Sequence, residues 1–294
     1  MSALRYSLST ACLAPQSLLR VADAAAEAGY VGVELVLGPE LLVRGMAWCR
    51  RLAQAAPLPV MSVHQPIYPV GRWAHPLSLM HDTVSLAIDL GAEAVVLHSP
   101  WSPSWDAPSA QAWLRALSQA QALTLGTTTL LTIENLGAHR GMPARTVLGS
   151  LDDLAQFCRQ RGLGLTYDTS HAGTNSADMP AELASIGDVL ANVHFSDCRP
   201  HSRLWQVPFF DLAAANHQMP GEGVLDLAAA LTALVRQGYA APVTFEVSPF
   251  ALRAWQPRRR RERLRQALTY ARTAVDQAQS MYTLAPSTVI SVHK

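Results

Sequence analysis

The chain has 294 residues, which is about the length of one α/β barrel and more than a minimal domain needs. Apolar residues make up 49% of the sequence and charged residues only 15%, a balance that excludes an intrinsically disordered chain. The net charge of +1 excludes a strong overall attraction to nucleic acid or to an anionic membrane.

Short apolar runs alternate with longer amphipathic segments along the chain. We predict strands at 6–9, 31–36, 59–64, 94–98, 130–135, 163–168, 190–195 and 243–247, and helices at 15–28, 40–55, 76–90, 111–125, 151–161, 180–186, 225–237 and 257–279. The strand runs are continuously apolar, as in parallel strands that are covered on both faces. Eight strands that each precede a helix predict the α/β class and a single (β/α)₈ TIM barrel over residues 1–280, with 281–294 as a C-terminal extension.

The cysteines and the apolar runs indicate the cellular compartment of the protein. Four scattered cysteines, Cys12, Cys49, Cys158 and Cys198, form no CxxC pair and indicate reduced thiols rather than a disulfide framework. The N-terminus lacks a basic region followed by an apolar run, and no apolar run reaches about 18 residues. We therefore expect a cytoplasmic protein without a signal peptide or a membrane span.

Ionisable side chains recur at the ends of the predicted strands, where barrel enzymes carry their chemistry. In chain order they are Glu34, His64, His98, Glu134, Asp168 with His171, His194 and Glu246, and His217 lies in the loop after strand seven. A single strand-end histidine is more often a hydrogen-bonded structural residue, but so many buried charges on one rim require a cation. Carboxylates and imidazoles together suit zinc, manganese or iron, so the rim predicts one or more divalent metal ions.

Eight segments give the sequence a specific resemblance. They are GYVGVEL (29–35), VHQP (63–66), VLHSP (96–100), TIENLG (132–137), YDTSHAG (167–173), HFSD (194–197), GEGVLD (221–226) and FEV (245–247). In this order they resemble the xylose-isomerase-like barrel superfamily, which includes sugar isomerases and epimerases and the endonuclease IV family. The resemblance implies a core metal site of Glu134, Asp168, His194 and Glu246 that holds Mn, Zn, Mg or Co.

In the isomerase branch the two glutamates of this site are also the catalytic residues. The resemblance implies that one removes a proton from the carbon beside a carbonyl and the other returns it, while the metal stabilises the enediolate. His171, Arg199 and Trp101 are then candidate substrate-binding residues. Glu34 is a candidate for substrate contact or for a structural role near the floor of the site. Asp197 is a candidate hydrogen-bond partner that would orient His194 or a neighbouring metal ligand. The expected substrate is a small sugar, polyol or keto-acid.

In the endonuclease branch four histidines are further zinc ligands. The resemblance implies that His64, His98, His171 and His217 complete a three-metal cluster, which positions a hydroxide for attack on a phosphodiester. That family has an aspartate two residues before the last histidine, where this chain has Ala215, so the third metal site lacks a carboxylate. A zinc phosphodiesterase or abasic-site endonuclease stays open as the alternative.

Two further features bear on partners. The basic run 258–261, with Arg263 and Arg265, falls in the last predicted helix, where it is typical of a solvated face rather than of a nucleic-acid site. Trp101, Trp105, Trp205 and Phe209 follow strands four and seven and are candidates for stacking on a ligand or for capping the barrel. We expect a small carbohydrate-like substrate and no nucleic acid or membrane partner, and the resemblance allows a homo-oligomer. A metal-binding barrel without catalysis is the second alternative.

Overall fold

Eight parallel strands form a closed barrel. The computed structural model describes residues 4–38, 40–137, 146–175, 178–200 and 215–284, with side chains up to residue 280. The strands are β1 (Arg5–Ser9), β2 (Gly32–Val36), β3 (Val60–His64), β4 (Ala94–His98), β5 (Leu130–Glu134), β6 (Gly164–Asp168), β7 (Leu190–Phe195) and β8 (Pro242–Phe245). Each strand pairs with the next, and β8 pairs with β1. The predicted (β/α)₈ barrel is confirmed.

Helices surround the barrel and follow the predicted order. Within the described ranges they are α1 (Leu18–Ala28), α2 (Glu40–Arg44), α3 (Met46–Ala55), α4 (Pro76–Leu90), α5 (Pro108–Thr124), α6 (Leu151–Arg161), α7 (Thr169–Thr174), α8 (Met179–Ser185), α9 (Leu227–Arg236), α10 (Pro249–Leu252) and α11 (Pro257–Leu284). The helix predicted at 40–55 is two helices, because Gly45 has a φ of +78° that a continuous α-helix does not accommodate. The short α7, which directly follows β6, was not predicted.

The C-terminal helix α11 continues four residues past the predicted barrel boundary at 280. It packs against α9 and α1 on the outer ring of the barrel. Two arginines of its basic run form salt bridges with glutamates of the same chain. Arg263 lies 2.7 Å from Glu222, and Arg261 lies 3.8 Å from Glu27. The predicted extension beyond 284 lies outside the described residues.

The barrel interior is unusually polar. Glu34 on β2 contacts His194 on β7, and because these strands are not neighbours, both side chains must point into the barrel. Alternation along the strands places a layer of small polar residues on the same side, all of them fully buried: Ser7, Ser62, Thr132, Thr166, Asn192 and Thr244. Bulky residues at the alternate strand positions, such as Leu8, Val63 and Ile133, face the helices. The small interior side chains leave room for a glutamate below the mouth.

Strand register brings the predicted site residues together. His98 pairs with Glu134 across β4 and β5, and Asp168 pairs with His194 across β6 and β7. Glu246 directly follows β8, and its backbone N–H donates to the Phe195 carbonyl at 3.3 Å. The last inward-facing positions of five consecutive strands and the residue after β8 therefore meet at one end of the barrel.

Membrane and redox features can also be stated for the described residues. None of the helices in the described ranges combines the length and hydrophobicity that crossing a bilayer requires. The four cysteines are free and buried. Burial raises the pKa of the Cys198 thiol to about 11, so this thiol near the site is protonated and a poor nucleophile at neutral pH.

Candidate metal centre

Four side chains converge on one point at the mouth of the barrel. The Nδ1 atom of His194 lies 2.8 Å from Glu134 Oε1, 2.8 Å from Glu246 Oε2 and 3.7 Å from Asp168 Oδ2. These residues, which we call the core set, come from β5, β6, β7 and the end of β8. Their exposed fractions are 12% for the Glu246 side chain and 4% or less for the others. The structure thus brings together the four residues that the resemblance implies.

The core set fits a divalent cation. Ligand atoms bound at about 2.0–2.2 Å to one ion lie roughly 3 Å from one another, which is close to the spacing around His194 Nδ1. Asp168 Oδ2 is fully buried and finds no hydrogen-bond donor among the described residues, although the other oxygen accepts the His171 N–H at 2.8 Å. Buried acceptors are rarely left unpaired, and a cation at this point would satisfy this oxygen. Three carboxylates with one imidazole suit manganese, cobalt or zinc.

A second set of ligand atoms adjoins the core set through Glu134. Its Oε2 atom lies 3.3 Å from His98 Nε2 and 3.6 Å from His64 Nε2, and the two histidine nitrogens are 3.1 Å apart. His64 Nδ1 is 2.6 Å from the Gln65 carbonyl, a bond that requires the proton on Nδ1 and leaves the Nε2 lone pair toward Glu134. Glu134 therefore has one oxygen in each set and is placed to bridge two ions.

A third set consists of Asp168, His171 and His217, each of which offers an atom within 4.8 Å of the others. His217 has a φ of +51°, a left-handed conformation that is uncommon outside glycine, and its N–H donates to Ser170 Oγ at 3.1 Å. Its Nδ1 lies 3.1 Å from the Glu246 carbonyl and 3.2 Å from Ser196 Oγ. Ala215 is buried nearby in the chain and offers no ligand, so this set has one carboxylate fewer than the endonuclease pattern.

The buried charges shift the pKa values of the site strongly. Burial alone would lower the pKa of His194, but the carboxylates of Glu34, Glu246 and Glu134 hold it well above its usual value. Burial would raise the pKa of Glu134, yet the neighbouring His194 holds it well below the usual range, and the pKa of Glu246 is lowered in the same way. Without a cation, His194 is therefore an imidazolium among carboxylates, and a metal must displace its proton.

His98 in the second set has the opposite pKa shift to His194 in the core set. Burial, followed by the charge of His64, lowers the pKa of His98 to about 4. A histidine that is neutral at neutral pH offers a lone pair without first losing a proton. The His98 side chain is also about one-third exposed, at 32%, so it is open to the mouth.

Two amides next to ligands hold the site in place, and the sequence analysis assigned them no role. Asn135 accepts the Asp168 N–H through Oδ1 at 2.6 Å, and its carbonyl lies 2.9 Å from His171 Nδ1. Gln65 accepts the His98 N–H through Oε1 at 3.0 Å. Each amide directly follows a strand-end ligand, which is the signal in the sequence that could have identified them.

Glu34 lies beneath the core set rather than at the mouth. Its side chain is fully buried, and its Oε2 atom is 3.1 Å from His194 Nε2 and 2.8 Å from Ser62 Oγ. His194 therefore faces Glu34 with one ring nitrogen and the core carboxylates with the other.

The prediction that Asp197 partners His194 or another ligand is wrong. Its carboxylate accepts four backbone N–H groups at 2.9–3.1 Å, from Cys198, Gly221, Gly223 and Leu225. Asp197 therefore anchors the loop that follows β7. A Cβ at Gly223 would lie 2.2 Å from Asp197 Oδ1, which explains the glycine in the GEGVLD segment.

The candidate substrate-binding residues lie around the mouth. Trp101 is 58% exposed after β4, and together with His98 it lines a cavity of about 220 Å³ whose apolar wall includes Trp73 and Trp113. Arg199 is exposed after β7, where its backbone N–H donates to the Ala215 carbonyl. His171 borders the core set, with its Nδ1 3.8 Å from Glu134 Oε1.

Three other aromatic residues were predicted to stack on a ligand or to cap the barrel. The Trp105 ring stacks on Phe157 of α6, with the ring centroids 5.5 Å apart. Trp205 and Phe209 lie outside the described residues.

A family model identifies the chain's relatives. The model that describes xylose isomerase-like TIM barrels matches residues 22–274. The chain belongs to this family. A protein of Mycobacterium tuberculosis with no characterised function is 28% identical over 298 residues, a match that covers 92% of this chain and 98% of that protein.

Solved structures of this fold are similar over nearly the whole chain. An L-ribulose 3-epimerase superimposes with a TM-score of 0.69 at 18% identity, covering 99% of this chain and 100% of that chain. A 3-keto-D-glucoside 4-epimerase from E. coli superimposes with a TM-score of 0.67 at 18% identity, covering 92% and 100%. At these identities the likeness shows the barrel fold.

Proposed function

We propose that the protein is a metal-dependent isomerase or epimerase that acts on a small sugar, polyol or keto-acid. The observation that carries this proposal is the pair Glu134 and Glu246, which approach the same nitrogen of His194 at 2.8 Å from β5 and from the end of β8. Epimerisation removes a proton from one face of a carbon and returns a proton to the other face, which two bases on different sides of the substrate can do. The two solved epimerases with the same fold support this class of reaction.

The chain's own residues suit this chemistry. The lowered pKa values of Glu134 and Glu246 keep both carboxylates ionised at neutral pH, which is the form that binds a cation and the form that a base must have before it accepts a proton. A bound divalent cation would supply the Lewis acid that makes such a proton acidic. His171, Arg199 and Trp101 would bind hydroxyl groups and the face of the substrate. A cytoplasmic location and a homo-oligomeric state remain predictions.

The second candidate is a zinc phosphodiesterase or abasic-site endonuclease. The observation that favours it is the pair of ligand sets that flank the core set, since they would allow two or three ions close together. Glu134 would then be committed through its second oxygen to His64 and His98 and less free to move a proton. The missing carboxylate at Ala215 counts against a third ion.

Turnover of a panel of ketoses, aldoses and keto-acids by the metal-loaded protein tests the proposal. We expect Glu134→Gln and Glu246→Gln to abolish isomerisation and His217→Ala to reduce it less. Glu262→Gln, the same substitution on the outer helix α11, is the matched control and should keep full activity. Full activity in both glutamine variants of the core set would refute the proton transfer.

Two other outcomes select between the alternatives. Cleavage of abasic DNA with no isomerisation would support the phosphodiesterase. Bound metal with no turnover of either substrate class would support a metal-binding barrel without catalysis.

A further inference from the structure

The barrel interior contains a carboxylate for which the proposed reaction has no use. Glu34 on β2 is fully buried, and its Oε2 atom lies 3.1 Å from Nε2 of His194 on β7, 160 residues away in sequence. Ser62 Oγ donates to the same oxygen at 2.8 Å from the neighbouring strand β3, at the register position opposite Glu34. Glu34 thus reaches across the barrel axis and is held in place from the side.

The two nitrogens of His194 face opposite partners. Nδ1 faces the carboxylates of the core set, while Nε2 faces Glu34. An imidazole binds a metal only through a nitrogen that carries no proton, so its other nitrogen keeps the proton and needs an acceptor. Because His194 is fully buried, water cannot take that role without entering the barrel. Among the described residues, the hydrogen bonds of Nε2 include only the one to Glu34.

We propose that Glu34 is a positioning residue, which fixes His194 in the tautomer and orientation that present Nδ1 to the metal. This inference rests on the metal site of the proposed function. In this inference Glu34 acts by its hydrogen bond to the ligand His194 and does not contact the substrate. Outer partners of this kind make an imidazole a better ligand, and their loss typically weakens metal binding by about 10–100-fold.

The cost of burying Glu34 supports a functional role. Its second oxygen, Oε1, is buried and finds no hydrogen-bond partner in the described part of the chain. A buried carboxylate that is only partly paired destabilises a fold. Packing alone would favour an apolar residue at this position.

Metal affinity separates positioning from a merely structural role. Glu34→Gln keeps the size of the side chain but replaces the charged acceptor of the Nε2 proton with a neutral amide, whose oxygen is a weaker acceptor and whose NH₂ group can donate to Nε2 and move the imidazole proton to Nδ1. The dissociation constant for Mn²⁺ and for Zn²⁺, measured by chelator competition, should rise about 10–100-fold. Ser62→Ala is the matched control, because it removes one hydrogen bond to Glu34 and leaves the carboxylate, and its affinity loss should be smaller.

The outcomes separate this inference from the proposed function. A wild-type protein that binds metal and a folded Glu34→Gln variant that binds it equally well would overturn the role of Glu34 and leave the metal site intact. A wild-type protein that binds no metal would overturn both. If Glu34→Gln does not fold, ¹⁵N NMR of the zinc-loaded wild type decides: we expect Nδ1 of His194 on the metal and the proton on Nε2, and the reverse arrangement would overturn the proposal.

Discussion

Metal affinity at the core set should rise steeply with pH. The pKa of His194 lies well above its usual value of about 6.5, because the carboxylates of Glu34, Glu246 and Glu134 more than offset its burial. The metal-free protein therefore carries a proton on His194 at neutral pH, and each cation bound must displace it. The displacement of one proton changes the apparent affinity about tenfold per pH unit, or about 1.4 kcal/mol. From pH 6 upward we expect the affinity to increase with pH until the pH passes the raised pKa of His194.

The same raised pKa sets the stability of the metal-free protein. The contribution of the charged His194 to folding is fully present below its unfolded pKa of about 6.5 and is lost as the pH rises through the higher folded value. The free energy of unfolding without metal should thus fall over this window, while added metal should restore it.

Chelator competition with Mn²⁺ at fixed ionic strength, at half-unit steps of pH, measures the slope. Glu246→Gln is the informative variant: it removes one of the carboxylates that raise the pKa of His194, so its affinity should level off at a lower pH. Glu262→Gln controls for a lost negative charge on the outer surface. An affinity that changes less than about twofold between pH 6 and 8 in the wild type would refute the charge assignment.

Two further predictions concern Glu134 and Asp197. If the wild type holds an ion in both the core and second sets, Glu134→Gln should lower the occupancy of both, because its two oxygens face different histidines, whereas Glu246→Gln should affect the core set alone. In such a protein, equal losses by elemental analysis of both variants would contradict the bridging role. Asp197→Ala should destabilise the fold by about 2–4 kcal/mol in urea unfolding, since four backbone N–H groups lose a charged acceptor, and leave metal stoichiometry unchanged. A metal-free but stable Asp197→Ala variant would mean that Asp197 acts on the metal ligands after all.

The fold could be predicted because its signals are local. Apolar runs marked each strand to within two residues, and glycines after helices such as α4 marked the ends, as the C-cap Gly91 confirms. The pattern at 40–55 predicts one helix, because a left-handed φ at Gly45 has no counterpart in the spacing of apolar residues. The short α7 was missed because Asp168 caps it at the end of a strand, where the sequence shows only a loop-like TSHAGT.

Partner choice within the site could not be predicted from the sequence. The rim residues follow from strand ends, because parallel strands deliver their last residues to one edge. Whether Glu34 or Asp197 contacts His194 depends on which side of its strand each residue faces and on the register between strands that are far apart in sequence. The contact between Glu34 on β2 and His194 on β7 crosses the barrel axis and has no signal in the local sequence. Asp197, which is nearer to His194 in sequence, binds the backbone of the loop after β7 instead.

Elemental mass spectrometry on protein purified without added metal tests the central claim most directly. The account predicts at least one manganese, cobalt, zinc or magnesium ion per chain at the core set, with loss of that ion in Glu246→Gln. One ion would favour the isomerase or epimerase, and two or three zinc ions would favour the phosphodiesterase. A chain that holds no divalent ion, even after reconstitution with each metal, would contradict the account.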